Sequence, residues 1–363
     1  MVSRRVRPWV WLLLGAELAV LAVSVAAVVP SVRARVKGVP LVMEALGGSV
    51  PRPFAPGVTR TEAALDGVTG YRFAPARPAP PVLLLPGAAL LGKDDPRAIR
   101  LATSLARAGR LVFVPDLELS QRRFVEEDLD RIVRAALALE ADPGARGRVA
   151  VLGISYGGSF ALVAAADPRL RGRLEQVAVF GAYFDLIGVI QAVTTGISLV
   201  EGRSYPWRAA PVADEILERN AVELAGEGSA EALQAVLKGD APPSDLDRHT
   251  RALYELLRNR DPARVVGLAE QLAPEARSLL ARFSPSSVAE AIDTPIVAMH
   301  STEDPAVPYG EAVRLTRALP DTRLVTVGGF RHVDFRAPGG WRAAAGDLLG
   351  VWRFATWLLE AQE

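Results

Sequence analysis

The stretch VAVLGISYGGSFALVAAA, residues 149–166, decides the fold. It opens as an unbroken apolar run, stops at a serine flanked by glycines two positions to either side, and resumes as an alanine-rich helical pattern. An apolar run with no polar alternation reads as a strand buried on both faces. The break is a sharp strand-to-helix turn. Gly153 and Gly157 let strand and helix approach closely there, while the turn lifts the Ser155 hydroxyl clear of the sheet. The helix amino terminus beneath the serine adds partial positive charge.

Similar runs recur at PVLLLPG (81–87), RLVFVPDL (110–117), QVAVFGAYFDL (176–186), TPIVAMHSTED (294–304) and TRLVTVGG (322–329). Helical patterns occupy 96–108, 123–141, 157–166, 309–318 and 341–361. Strand alternating with helix predicts an α/β fold with a mostly parallel, doubly wound sheet whose sites lie at the strands' carboxyl ends. Residues 187–290 interrupt the rhythm with helix-like spacing and no convincing strand, which predicts an inserted helical cap. It opens with the chargeless LIGVIQAVTTGISLV (186–200), too short to span a bilayer and read as a buried helix, with a lid or membrane-touching helix beside a hydrophobic pocket as the alternative. The expected organisation is an amino-terminal segment (1–37), a linker with an early hairpin (38–69), a first core segment (70–186), the cap (187–290) and a second core segment (291–363).

Half of the 363 residues are hydrophobic, enough for a large core. Lysine plus arginine (42) nearly balances aspartate plus glutamate (41), so no field gathers nucleic acid or a polyanionic substrate. The absence of cysteine excludes disulfides, thiolate zinc sites and a cysteine nucleophile. After Arg4, Arg5 and Arg7 comes a 23-residue apolar stretch, 8–30, interrupted only by Glu17 and long enough to cross a bilayer. It predicts one transmembrane helix and a single-pass membrane protein; Ser24, Ala26 and Ala27 keep open a cleaved signal peptide and export. A twin-arginine signal is a third reading.

A serine hydroxyl needs a base to become a nucleophile, and the chain offers three histidines. His249 lies in a solvated helical pattern of the cap, and His300 ends a strand immediately before a carboxylate-bearing turn. His332, in VGGFRHVDF after the last apolar run, is at the correct sheet end and is the expected base. Its imidazole needs a carboxylate on the other nitrogen. Asp304, in HSTEDPAVP, is the expected acid, with Asp185 at the end of the preceding strand as the alternative. Glu303 is expected to point away, and Asp334 is too near His332 in sequence to pair with it. Backbone amides of Tyr156 and Ala88, the latter in LPGAALLG (85–92), are the expected oxyanion donors. Ser159, one turn into the helix, is expected to pack.

Together the Gly-x-Ser-x-Gly string, an acid followed by xxVP (Asp304 to Pro308) and a late histidine, in that order, resemble the α/β-hydrolase superfamily. The resemblance covers about 70–186 and 290–360, with the insert where the family places its cap. It implies Ser155 as nucleophile, His332 as base, Asp304 as acid, and the Ala88 and Tyr156 amides at the oxyanion hole. Pro86-Gly87 stands where many members carry His-Gly. The expected activity is hydrolysis of a small-molecule carboxylic ester, lipid-like or otherwise uncharged, through an acyl-enzyme, with no metal or organic cofactor. Amide, peptide or thioester hydrolysis, acyl transfer and a non-catalytic binding role share the fold; haloalkane or epoxide chemistry wants a carboxylate at position 155. Oligomeric state is not legible.

Overall fold

The computed structural model describes residues 30–45, 48, 56–226, 228–332, 334–335 and 341–360. Helix α1 (Pro30–Ala45) precedes a hairpin of β1 (Val58–Leu65) and β2 (Val68–Pro75). Then β3 (Pro81–Leu85), α2 (Pro96–Arg107), β4 (Leu111–Pro115), α3 (Glu126–Glu140), β5 (Val149–Ile154), α4 (Tyr156–Ala165) and β6 (Leu174–Phe180) alternate along the chain. The insert follows, and β9 (Ile296–Ser301), α11 (Gly310–Ala318), β10 (Arg323–Val327) and α12 (Trp341–Leu359) complete the core. Eight strands form one sheet in the order β1-β2-β4-β3-β5-β6-β9-β10. The hairpin strands run antiparallel to their neighbours and the rest are parallel. This is the α/β-hydrolase architecture.

Every residue of β3, β4 and β6 is buried, as the apolar runs require. Alternate side chains feed two separate clusters. Leu83, Phe113, Val151 and Val179 meet Ile132 of α3 and Phe160 of α4 on one face. Leu84, Val112, Leu152 and Val297 meet Leu105 of α2 and Phe354 of α12 on the other. Strand β3 lies between β4 and β5, so the chain first winds one way and then reverses. A crevice opens at such a switch point beyond the strand ends. Ser155 and Gly87 follow the two strands that flank it.

Two segments differ from expectation. Residues 30–45, read as the end of an anchor and the start of a linker, form α1, whose Ala34, Leu41 and Val42 are buried in the second cluster. Pro40 and Gly38 disguise it as non-helical; packing rather than propensity holds it. A Cβ on Gly38 would lie 3.3 Å from Trp352, so the glycine permits the close crossing with α12, where Trp352 Nε1 donates to Arg35 O.

The expected membrane localisation is corrected. Among the described residues no helix is long and apolar enough to cross a membrane. Residues 8–29, on which the transmembrane and signal-peptide readings rested, lie outside the described residues.

The insert contains α5 (Leu186–Thr195), α6 (Pro211–Leu224), α7 (Ala230–Lys238), α8 (Arg248–Arg258), α9 (Val265–Glu270) and α10 (Pro274–Arg282). They enclose their own small core around Leu233, Leu253, Val265 and Leu272. Contrary to expectation the insert also carries strands, β7 (Ile197–Val200) and β8 (Arg203–Pro206). Glu201 and Gly202, at φ 53° and 77°, make the two-residue turn between them. The sequence signal was masked because the first strand continues a chargeless helical pattern.

Candidate active site

Ser155 sits between β5 and α4 at φ 55° and ψ −132°, a conformation that costs about 1–3 kcal/mol for a residue with a side chain. The surroundings hold it there. Its amide donates to Phe180 O at 2.7 Å, and its carbonyl accepts from Gly158 N at 2.8 Å. A Cβ on Gly153 would fall 2.4 Å from Gly158 Cα, and one on Gly157 would fall 2.6 Å from Pro86 O. Both glycines are therefore demanded by close backbone contact. Gly158, which no sequence signal marks, is also confined: its Cβ would meet Ala182 Cβ at 2.9 Å.

His332 lies in the turn between two-residue strands β11 (Phe330–Arg331) and β12 (Asp334–Phe335), at φ 61°. Its Nε2 is 2.7 Å from Ser155 Oγ. Its Nδ1 is 3.0 and 2.9 Å from the two oxygens of Asp304. A carboxylate can only accept, so Nδ1 carries the proton and Nε2 is left to accept from the serine hydroxyl. Three residues separated by up to 177 positions thus form one continuous hydrogen-bonded chain.

Asp304 is 2% exposed. Burial alone opposes its charge, yet the His332 ring, the Nδ1–H bond, His300 and the Val307 amide outweigh burial and hold the carboxyl below its ordinary value. Oδ1 also accepts from Ala306 N at 2.8 Å and Val307 N at 3.0 Å. From the cap, Trp207 Nε1 donates to Asp304 O at 2.7 Å. No sequence signal marks Trp207. Gly181, at φ 66°, was also missed; a Cβ there would stand 3.2 Å from Asp304 Oδ2 and 3.4 Å from the His332 ring, so it clears room for the pair.

The remaining candidates fall elsewhere. Asp185, the alternative acid, accepts from Ile187 N at 2.8 Å and caps α5. His249 is exposed on α8. His300 is 1% exposed; its Nε2 faces Val307 O at 3.0 Å and therefore donates. Burial lowers its pKa against the opposing pull of Asp304 and that bond. Glu303 is exposed. Ser159 is spent on the backbone, donating to Tyr183 O at 2.8 Å and accepting from Tyr183 N at 2.9 Å.

The loop after β3 passes beside the serine. A Cβ on Gly87 would lie 2.8 Å from Ser155 Cβ, so only glycine lets this backbone run so close. The amides of Ala88 and Tyr156 donate to no other described residue. Ser155, His332, Gly87, Ala88 and Tyr156 all line a cavity of about 830 Å³, within the range of small-molecule sites. Much of its wall is apolar, including Leu90, Ile216 and Met299. Among the described residues no group of acidic or histidine side chains is disposed to hold a metal.

No family model and no curated protein sequence matches the chain. Among solved structures it is similar to 2,6-dihydroxy-pseudo-oxynicotine hydrolase, at 17% identity and a TM-score of 0.48 over 85% of this chain and 68% of that one. It is also similar to a brefeldin A esterase, a bacterial homologue of human hormone-sensitive lipase, at 20% identity and a TM-score of 0.47 over 93% and 86%. An esterase of Pyrococcus furiosus aligns at 10% identity and a TM-score of 0.43 over 79% and 87%.

Proposed function

On the α/β-hydrolase fold defined by its sheet order and its strained elbow, we propose that this chain is a serine hydrolase that cleaves an uncharged carboxylic ester. The observation that carries the reading is the hydrogen-bonded chain from Ser155 Oγ through both nitrogens of His332 to Asp304. In the reaction, Ser155 Oγ bonds to the ester carbonyl carbon while its proton passes to His332 Nε2. The carbonyl π pair moves onto oxygen, and the unpartnered Ala88 and Tyr156 amides face that charge. Collapse expels the alkoxide, which takes the proton from Nε2 and leaves as the alcohol. Water then attacks the acyl-serine with His332 again as base, releasing the acid and restoring the hydroxyl. Asp304 stays ionised and stabilises the imidazolium in both halves.

General-base assistance of this kind contributes about 10²–10⁴-fold, and one oxyanion donor about 10²–10³-fold. The apolar wall of the cavity around Ser155 and His332 supports an uncharged substrate. The test is labelling with a fluorophosphonate and mapping of the adduct. Modification at Ser155 that disappears in His332→Ala supports a serine hydrolase; folded protein that takes no label contradicts it. A series of aryl esters of increasing chain length, with matched amides, then reads the substrate class. Faster cleavage of the amides overturns the ester assignment.

A further inference from the structure

Beneath the cap lies a second cavity of about 580 Å³, lined by apolar side chains such as Val189 and Ile190 of α5, Leu217 of α6 and Leu279 of α10. Ser155 and His332 do not line it. Two residues, Tyr156 and Ile216, line both cavities and so mark their junction.

Tyr156 is 3% exposed, its ring packed against Phe124 and Tyr183 at centroid distances of 5.5 and 5.2 Å. Neighbouring Tyr183 spends its hydroxyl on Phe283 O at 2.9 Å. The Tyr156 hydroxyl bonds no other described residue. Nor is it sealed in the core: the sealed, unpartnered polar atoms among the described residues are Arg107 Nε, Arg122 Nε and the hydroxyls of Thr194, Thr322 and Thr356. The phenol oxygen therefore keeps some access to open space, on a residue that lines both cavities. Other polar groups on the cap cavity are committed or peripheral. The Asn220 side chain accepts from Phe124 N and donates to Arg122 O and Ile216 O. Arg123 pairs with Glu223, and Glu275 is exposed.

Buried polar groups are normally hydrogen-bonded, and an apolar pocket with one uncommitted polar group is built for a ligand that supplies the partner. We infer that the cap cavity holds the apolar body of the substrate, and that the Tyr156 hydroxyl donates to an oxygen acceptor carried on that body. The inference rests on the ester-hydrolase reading and narrows it. The preferred ester bears a ketone, ether or second ester oxygen along its chain instead of being a plain hydrocarbon. Tyr156 then acts twice, its amide toward the scissile carbonyl and its phenol as a specificity determinant.

The test is calorimetric titration of the full chain carrying Ser155→Ala, which binds esters without consuming them. The probes are methyl decanoate and the methyl oxodecanoates with the ketone moved from carbon 4 to carbon 8. One oxo isomer is expected to bind about tenfold more tightly than methyl decanoate, the value of one well-formed hydrogen bond. Adding Tyr156→Phe is expected to bring that ratio to about one. A ratio of one throughout, a preference that survives Tyr156→Phe, or no binding of any probe overturns the inference. Leu279→Trp, which fills the cavity, is expected to weaken both esters; unchanged affinity also overturns it. Fluorophosphonate labelling of the unmodified protein reads the parent proposal separately, so labelled Ser155 with no Tyr156-dependent preference refutes this inference alone.

Discussion

Replacing Gly153 by alanine strikes the elbow without touching any reacting group. The added Cβ would stand 2.4 Å from Gly158 Cα, 2.5 Å from Gly157 O and 2.6 Å from Gly158 N. Comfortable separations between carbons are about 3.5–4.0 Å, so each contact is short by roughly an ångström. All three partners are backbone atoms of the first turn of α4, and no rotamer change relieves them. Relief requires α4 to move off β5. Overpacking by one methylene costs about 1–3 kcal/mol where side chains yield, so a loss of at least about 3 kcal/mol is expected here. That is a large share of the ~5–15 kcal/mol that holds a domain together. Because α4 begins with Tyr156, the same displacement moves an oxyanion donor, and a shift of about 1 Å costs on the order of 100-fold in rate. Urea unfolding reads the first effect and the rate of fluorophosphonate labelling reads the second. Gly346→Ala is the control: this exposed position in α12 has nothing within 4 Å of the new Cβ and is expected to gain about 0.5–1 kcal/mol. If Gly153→Ala matched the parent protein in both measurements, the close packing of strand and helix under Ser155 would be refuted.

Asp304→Asn preserves shape but cannot fix the His332 tautomer. It is expected to lower kcat by about 10³–10⁴-fold in protein that remains folded, and a loss under tenfold would remove Asp304 from the relay. Glu311, 1% exposed, accepts from Asp185 N at 2.7 Å and Phe184 N at 3.0 Å, and Arg314 lies 3.2 Å away. Burial outweighs these partners and pushes its pKa up to about 7. A raised folded value means its contribution is complete below about pH 4.5 and is lost as pH rises through 7, by roughly 3 kcal/mol. Glu311→Gln, which keeps an acceptor for both amides, is therefore expected to raise Tm relative to the parent more at pH 8 than at pH 5; a difference independent of pH contradicts this. Arg110 and Glu175, 2% and 5% exposed, pair at 3.0 Å, and Arg110 also donates to Leu358 O at 2.7 Å. Glu175→Ala strands a buried guanidinium and is expected to cost about 3–5 kcal/mol in urea unfolding, whereas a cost below 1 kcal/mol would mean that water reaches Arg110.

The parallel strands were legible because burial on both faces leaves unbroken apolar runs, as in PVLLL (81–85), and because those runs alternate with helical patterns along the chain. Ser155 was legible for a related reason: the glycines that close packing demands stand at fixed distances from it in sequence. His332 and Asp304 were reachable only through topology, as residues just beyond strands that end at the same edge. What sequence concealed depends on contacts made from afar. Helix α1 reads as coil because Gly38 and Pro40 lower its propensity, and only packing on α12 reveals it. Strand β7, apolar like the helix before it, continues the same chargeless pattern and so hides the hairpin it makes with β8. Trp207 bonds Asp304 O from 97 positions away, and Gly181 looks like an ordinary strand end until the ring of His332 is placed over it.

If Ser155 is the nucleophile and His332 its base, turnover of an ester passes through an acyl group on Ser155. Rapid mixing with a 4-nitrophenyl ester, acid quenching within the first turnover and mass analysis of the digested protein test it directly. One acyl group per chain is expected on the peptide that carries Ser155, formed with a matching burst of 4-nitrophenolate and absent in His332→Ala. Turnover with no acylated peptide, or an acyl group on another residue, would contradict it.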